Sequence, residues 1–281
     1  MNLPPEFQFS QGSLQDFVDC RRRFQLRYPL HQSWPAVPSE PVLELERYMQ
    51  QGARFHRMVQ QHLLGLPAER LTPLAQDDNL SRWWENYVNF SQGGGLQALA
   101  GAEARYYPEI TLTAPLGSYR LLAKLDLLAV NPQGRALILD WKTSRKHPRR
   151  QWLAERLQTR VYPYLLVQAG AFLNKGTPFQ PEQVEMVYWF AGYPDQPVRF
   201  PYAASAFQAD REYLAEIVAT IDRLGEDDFP LTTDTRRCEY CVYRSLCERG
   251  GKAGSLDELD IFGEEEGAPT IDFEQTLEIE Y

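Results

Sequence analysis

Several features that would place this sequence in a common class are scarce or missing. Its 281 residues include only four cysteines, which excludes a disulfide-rich secreted scaffold. No stretch of 18 uncharged apolar residues occurs, and the first residues carry neither the basic nor the apolar part of a secretory signal. We therefore expect a cytoplasmic protein without a membrane partner. The G-x-x-x-x-G-K-[ST] motif is also missing, so any duplex unwinding would require a partner protein.

The net charge of the whole chain is negative, but that of residues 1–252 is not. The formal net charge is −9, from 29 Lys and Arg against 38 Asp and Glu. Ten of the acidic residues lie between 257 and 280, and no Lys or Arg follows Lys252. The remaining 29 basic and 28 acidic side chains give residues 1–252 a charge of +1. Such a body can hold a basic groove, and residues 253–281 are expected to form a disordered acidic tail.

The four cysteines are Cys20, Cys238, Cys241 and Cys247, and the last three form a C-x2-C-x5-C run. A reducing compartment disfavours disulfides, and closely spaced thiolates favour a metal site. One remote cysteine with a run of three fits an iron–sulfur cluster better than zinc, although zinc and free thiols remain open. A site that joins residue 20 to residues 238–247 would clasp the two ends of the fold.

The apolar pattern alternates between helical and extended periods. Helical spacing predicts helices over 10–28, with Ser13 as the N-cap, and over 42–64, 78–91, 150–172 and 204–224. Runs bounded by turn residues predict strands over 103–114, 119–130, 135–143, 184–192 and 197–202. Strands flanked by helices indicate a mixed α/β fold in one domain, which we place at residues 1–252.

Two acidic residues occupy unusual positions on these predicted strands. Asp126 interrupts the apolar stretch L-L-A-K-L-D-L-L-A-V, and Asp140 ends the buried-strand pattern A-L-I-L-D. Because a buried carboxylate needs a partner, two of them on neighbouring strands can converge on one divalent cation. Lys142 leaves the same face of its strand as Asp140. This trio suits metal-assisted phosphodiester hydrolysis, although D-x-K alone is more often a salt bridge at a strand end.

Further motifs surround these residues in a recognisable order. They are S-L-x-x-F-x-x-C at 13–20, G-x-x-x-H at 52–56, D-x-K at 140–142, Q-x-x-x-Y at 158–162 and the cysteine run at 238–247. With them the sequence resembles the PD-(D/E)XK nuclease superfamily, in the RecB-like iron–sulfur branch. That branch includes CRISPR-associated iron–sulfur exonucleases, the AddB nuclease domain and exonuclease V-like proteins. The resemblance covers residues 10–250 and implies a restriction-endonuclease-like mixed central sheet flanked by helices.

The resemblance also implies a role for each motif residue. The ligands of Mg²⁺ or Mn²⁺ would be His56, Asp126, Asp140 and the backbone carbonyl of Trp141. Asp126, Asp140 and Lys142 would be the catalytic residues. A 4Fe–4S cluster would be held by the four cysteines and would clasp the N- and C-terminal segments. Supporting or DNA-binding roles would belong to Glu103, Gln158, Tyr162, Arg145 and Lys146.

The expected function is a metal-dependent deoxyribonuclease. The family resemblance favours an exonuclease on single-stranded DNA or free ends, in DNA repair, recombination or CRISPR adaptation, with a helicase or CRISPR-adaptation partner. One alternative is a DNA-binding subunit whose nuclease site is vestigial or depends on a partner, and another is a zinc-clasped structural protein. Two basic groups are expected to contact phosphates, one after Lys142 and one beside Cys20 formed by Arg21, Arg22, Arg23 and Arg27.

Overall fold

The structure is a computed structural model that describes residues 3–4, 6–33, 40–239 and 241–250. The predicted acidic tail at 253–281 lies outside the described residues. Among the helices of the described part of the chain, none is long and apolar enough to cross a membrane. The prediction of a mixed α/β fold is confirmed, because one mixed sheet lies between two groups of helices.

Six strands of the described residues form the sheet, with β3 at its branching point. The strands are β1 Gln8–Ser10, β2 Arg105–Leu116, β3 Tyr119–Val130, β4 Ala136–Lys142, β5 Val184–Phe190 and β6 Tyr193–Pro201. One edge of β3 pairs with antiparallel β2. Its other edge is shared by β1, parallel at residues 120–122, and by β4, antiparallel at residues 127–130. Beyond β4 the sheet continues through parallel β5 to antiparallel β6.

The helices follow the predicted order but divide at two places. They are α1 Gln11–Asp19, α2 Arg21–Arg27, α3 Glu40–Leu63, α4 Ala68–Leu71, α5 Asp78–Gln92, α6 Gly95–Ala100, α7 Arg150–Glu155, α8 Leu157–Ala169 and α9 Ala204–Arg223. The predicted helix 10–28 breaks at Cys20, where the backbone is extended, and 150–172 breaks at Arg156 for the same reason. The N-cap of α1 is Ser10 and not Ser13, and the two side chains form a reciprocal capping box.

The sheet separates two hydrophobic cores. The first core packs α1, α8 and α9 against one face, and the second packs α3, α5 and α6 against the other. Strand β4 alternates between them, since Ile138 lies in the first core while Leu139 and Trp141 lie in the second. By the same alternation Asp140 and Lys142 face the first core, where α8 packs.

Strands β2 and β3 both change faces halfway along their length. Residues 121, 123 and 125 of β3 belong to the first core, but 127 and 129 belong to the second. The residues that flank Glu109 on β2 pair with those that flank Asp126 on β3, so these two acidic residues stand opposite each other at the change. Glu109 has a φ of +56°, a left-handed conformation that is strained for a residue with a side chain.

Candidate functional site

Asp126 lies on the edge of β3, in the interval between its pairing with β1 and its pairing with β4. On this edge, opposite to the one that pairs with β2, no strand among the described residues supplies a ladder partner to the interval. The side chain takes over that function, because Asp126 Oδ2 accepts a hydrogen bond from the Trp141 backbone N–H at 2.9 Å. This bond fixes the Asp126 carboxylate beside the end of β4, where Asp140 and Lys142 are found.

A possible cation site is formed by His56, Glu109 and Asp126. One ligand atom from each of the three residues lies within 4.8 Å of the others. His56 Nδ1 is 3.3 Å from Asp126 Oδ2. On the other side of the group, Lys124 Nζ contacts Glu109 Oε2 at 2.5 Å. A mixed set of imidazole and carboxylate ligands suits Mn²⁺ and Mg²⁺.

Helix α3 reaches the sheet closely enough for His56 to join this group. A Cβ atom at Gly52 would lie 3.1 Å from Thr143 Oγ1, so a larger residue would require the Thr143 side chain to shift. One turn earlier, the Tyr48 hydroxyl donates a hydrogen bond to the Thr143 carbonyl. Gly52 and Tyr48 thus seat α3 on the segment after β4, and the G-x-x-x-H spacing then directs His56 to Asp126.

Asp140, Lys142 and Gln158 form a second, adjacent network. Lys142 Nζ lies 3.1 Å from Asp140 Oδ2 and donates to Gln158 Oε1 at 3.0 Å. Gln158 Nε2 donates to Asp140 Oδ1 at 2.6 Å and contacts the Tyr162 hydroxyl at 3.1 Å. Asp140, Gln158 and Tyr162 are all buried, with exposed fractions of 2%, 5% and 7%. Gln158 and Tyr162 therefore lie inside this network on α8 and not on the exposed surface.

The electrostatic states of these side chains depend on one another. Burial raises the pKa of Asp140 to about 7, with a further contribution from the Asp126 charge and an opposing one from Lys142. Burial disfavours the charged form of His56, but the Asp126 carboxylate outweighs it and raises the histidine pKa to about 9. Burial also opposes the charge on Asp126, yet His56 and the Trp141 N–H hold that pKa below its ordinary value. Burial, more than the neighbouring carboxylate, thus disfavours the charged form of Asp140, while Asp126 and His56 stabilise each other's charged forms.

The expectation for Glu103 requires a correction. Glu103 precedes β2, has a φ of +60° and is exposed. The acidic residue that lies with His56 and Asp126 is Glu109. The two residues are six positions apart on the same chain segment, and only Glu109 stands opposite Asp126. The predicted strand began two residues too early, because the alternation of 103–114 does not reveal the turn at its start.

The cysteines approach one another from both ends of the chain. Cys20 lies in the break between α1 and α2, Cys238 ends a 3₁₀ turn, and Cys241 follows in a further turn. Burial raises the pKa of the Cys238 and Cys247 thiols, and the neighbouring Cys20 thiol raises both further. All four are half-buried and none forms a disulfide. Among the described residues, no three thiols come within 4.8 Å of each other.

Ion pairs close the fold around the cysteines. Asp19, which is buried, pairs with Arg23 at 3.2 Å, with Arg156 at 3.8 Å and also with Arg237. Asp16 pairs with Arg23 at 2.9 Å and with Arg27 at 3.0 Å. This corrects the expectation that the basic group beside Cys20 contacts phosphates as a whole. Arg23 and Arg27 face internal carboxylates, while Arg21 is exposed.

The second basic group, which contains Arg145 and Lys146, lies in the segment that follows β4. Arg145 is half-buried, lies over the Tyr48 ring at 5.0 Å and pairs with Glu44 at 3.3 Å. Lys146 is exposed. Both residues follow Lys142 within four positions, so their charge lies on the segment that leaves the end of β4.

Comparisons with known proteins place this geometry in a family. A family model described as the PD-(D/E)XK nuclease superfamily matches residues 8–248. The solved structure of SSO0001 is 14% identical, covers 88% of this chain and 89% of its own, and has a TM-score of 0.40. A second structure, from Eubacterium rectale and named provisionally as an exonuclease, is 12% identical, covers 79% and 86%, and has a TM-score of 0.47. A search of the curated proteins finds no match.

The family model spans the strands and helices that carry all the candidate residues, from β1 to the cysteine run. Members of this superfamily are nucleases, which hydrolyse phosphodiester bonds and act on nucleic acid. The paired acidic residues of β3 and β4 and the lysine two positions later match the motif that gives the superfamily its name. The chain belongs to the PD-(D/E)XK nuclease superfamily.

Proposed function

We propose that the protein is a divalent-metal-dependent deoxyribonuclease that degrades single-stranded DNA from its ends. The observation that carries this proposal is the convergence of Asp126, Asp140 and Lys142 beside the group formed by His56 and Glu109. The preference for single strands and free ends rests on the RecB-like resemblance. So does the choice of pathway, which is DNA repair, recombination or CRISPR adaptation.

The donor atoms present fit Mg²⁺ or Mn²⁺. Asp140 Oδ2 is buried and has no aligned hydrogen bond among the described residues, although the Lys142 ammonium lies close by. A cation would satisfy this atom and would also relieve the raised pKa of Asp140. The proposed ligands are His56, Glu109, Asp126, Asp140 and the Trp141 carbonyl. When bound, the cation would neutralise phosphate charge and acidify water.

Lys142 is the proposed catalytic ammonium. Its Nζ is held on one side by Asp140 and on the other by the Gln158 oxygen, and it lies 5.6 Å from the centre of the Tyr188 ring. These contacts fix the ammonium beside the carboxylate that would bind the cation. From this position it can orient the attacking water or stabilise the negative charge that develops on the phosphate.

Binding of DNA is proposed to depend on phosphate charge and not on base sequence. Arg145 and Lys146 lie within four positions of Lys142, and Arg and Lys side chains bind phosphates without regard to base sequence. The partner is DNA with a free end, together with a helicase or CRISPR-adaptation protein that would supply unwinding.

The four cysteines are proposed to hold a 4Fe–4S cluster, in keeping with the RecB-like iron–sulfur branch. One remote cysteine with a C-x2-C-x5-C run is the pattern that favours a cuboidal cluster over tetrahedral zinc. Iron and zinc analysis of anaerobically purified protein distinguishes the two. Zinc without iron would contradict the cluster.

The experiment that tests the proposed function is cleavage of end-labelled single-stranded DNA with Mg²⁺ or Mn²⁺. Wild type is compared with Asp140→Asn, and with Asp210→Asn as a matched buried carboxylate on α9. We expect cleavage by wild type and by Asp210→Asn but none by Asp140→Asn. Equal cleavage by Asp140→Asn would contradict the assigned site. Binding without cleavage by cluster-replete wild type would instead favour a DNA-binding subunit.

A further inference from the structure

Gln15 on α1 is a buried side chain whose oxygen and nitrogen both form hydrogen bonds, one to α8 and one to Asp19 at the end of its own helix. It is 7% exposed. Its Oε1 accepts a hydrogen bond from the Leu157 backbone N–H at 3.0 Å, and its Nε2 donates to Asp19 Oδ1 at 2.9 Å. Because an unpaired amide oxygen or nitrogen would be costly in this buried position, the two hydrogen bonds of Gln15 constrain how α1 and α8 pack.

The first of these bonds caps α8. Leu157 is the first residue of that helix, and Arg156, the residue at its N-cap, makes no side-chain capping hydrogen bond. The first N–H groups of a helix have no partner within the helix and need an outside acceptor. Gln15 supplies that acceptor from α1, across 142 residues of sequence.

The capped turn carries Gln158, the next residue along the chain. Gln158 holds both Asp140 and Lys142, so a shift of the first turn of α8 moves the amide that orients them. We infer that Gln15 is a positioning residue of the nuclease reaction, acting through the Leu157 N–H on Gln158. This inference rests on the proposed function, since it concerns the chemistry of the same site.

The second bond of Gln15 links this arrangement to the clasp. Asp19 directly precedes Cys20, and its partner Arg237 directly precedes Cys238. The two cysteine-bearing segments therefore meet at Asp19, whose carboxylate then holds the Gln15 amide. The contact between the two cysteine-bearing segments is thus connected to Lys142 through three side chains, Asp19, Gln15 and Gln158.

The test compares Gln15→Met with wild type in single-turnover cleavage of end-labelled single-stranded DNA. Met keeps the volume of the side chain and removes both hydrogen bonds. We expect the cleavage rate constant to fall between about 10- and 100-fold, as for other groups that orient a catalytic site. The concentration of enzyme that gives half-maximal rate should stay within about twofold of the wild-type value, since Gln15 is buried and is not a proposed phosphate-binding residue. An unchanged rate constant would overturn the inference.

Two further variants separate positioning from general damage. Gln15→Glu keeps an acceptor for the Leu157 N–H but sets a second carboxylate against Asp19, so it is combined with Asp19→Asn; this charge-swapped pair should restore most of the lost rate. If Gln15→Met does not fold, Gln15→Asn, which is one methylene too short to reach Leu157, replaces it. Gln25→Met is the matched control, because Gln25 is a buried glutamine on α2 whose hydrogen bonds go to the Glu226 carbonyl and to Arg22 and do not involve α8. Its rate constant should equal that of wild type, and a decrease as large as that of Gln15→Met would contradict a specific role.

A double-mutant cycle tests the route of action. If Gln15 acts through Gln158, then Gln15→Met combined with Gln158→Met should be no slower than Gln158→Met alone. Rate decreases that multiply would show independent effects and would overturn this route. Hydrogen exchange of the amides at 157–159 should also be faster in Gln15→Met, a change that needs no activity to be seen. Failure of the wild type to cleave contradicts the proposed function itself, whereas wild-type cleavage with unaffected Gln15 variants contradicts only this inference.

Discussion

The amide of Gln158 donates to Asp140 Oδ1 at 2.6 Å, and the same side chain accepts from Lys142. One neutral residue thus holds the carboxylate and the ammonium of the D-x-K motif at once. The carboxylate alone would attract the ammonium into a closed salt bridge, which is the ordinary outcome for such a pair. Gln158 holds the lysine from a second direction, so the position of its ammonium does not depend on Asp140 alone.

Replacement of Gln158 by Met should therefore slow cleavage more than it weakens DNA binding. We expect a fall of about 10- to 100-fold in the single-turnover rate constant, because Lys142 loses its second acceptor and Asp140 a donor. The dissociation constant for single-stranded DNA, measured with the metal chelated, should change by less than about twofold. A large loss of binding with normal turnover would show that Gln158 contacts DNA.

Glu109 and Glu103 offer a matched pair for the cation site. Glu109→Gln should weaken Mn²⁺ binding by about tenfold or more, because it removes a charged oxygen from the group with His56 and Asp126. Glu103→Gln, which changes an exposed turn residue, should leave it unchanged. Titration calorimetry with Mn²⁺ alone measures both. Weaker Mn²⁺ binding in Glu103→Gln and not in Glu109→Gln would restore the supporting role that the sequence predicts for Glu103.

Asp210 should impose a pH dependence on stability that is independent of the site. Burial raises its pKa to about 6, against the opposing effects of the Tyr202 hydrogen bond and of Arg160. An unfolded Asp titrates near 3.9, so the folded chain holds this proton more tightly. The resulting stabilisation is present below about pH 4 and is lost as the pH rises through about 6.

Urea unfolding of wild type and Asp210→Asn at a series of pH values checks this sign. Relative to the variant, the wild type should lose on the order of 1 kcal/mol of unfolding free energy between pH 4 and pH 6.5, after allowance for solvent screening. Parallel stability curves for the two proteins would refute the assignment to Asp210.

Arg145 and Lys146 should act on DNA binding through charge alone. Replacing either by Gln is expected to weaken binding of single-stranded DNA at low salt. It should also reduce the slope of log affinity against log salt by roughly 0.7 for each phosphate that is no longer neutralised. The effect should be equal for unrelated sequences, and a decrease confined to one DNA sequence would indicate base contacts instead. Lys175→Gln, at an exposed turn after α8, is the control and should leave the slope unchanged.

Local pattern predicted much of the fold and part of the site. The predicted strands around Asp126 and Asp140 agree with β3 and β4 within two residues, because alternation and isolated carboxylates are visible in short windows. Glu109 could not be found in this way, since its strand changes faces at that residue and its backbone is left-handed. An interruption of alternation near the middle of 103–114 was the only signal for it.

Gln15 and β1 were missed for a different reason. β1 has three residues and exists only because β3 offers an edge at residues 120–122. Gln15 meets the Leu157 N–H only when α1 and α8 are packed together, so no spacing in the sequence predicts this hydrogen bond. Tertiary contacts of this kind decide the details of a site that short-range patterns can only outline.

The pairing of Asp19 with Arg237 has a consequence for synthesis of the chain. Asp19 leaves the ribosome early, but its partner emerges only after more than 200 further residues have been translated. Until then α8 can pack, but Asp19 lacks its ion pair with Arg237. Asp19 is the residue whose carboxylate holds Gln15, the side chain that caps α8. The nascent polypeptide therefore completes this support for its lysine only after Arg237 has been translated, well after the strands and helices that carry the site.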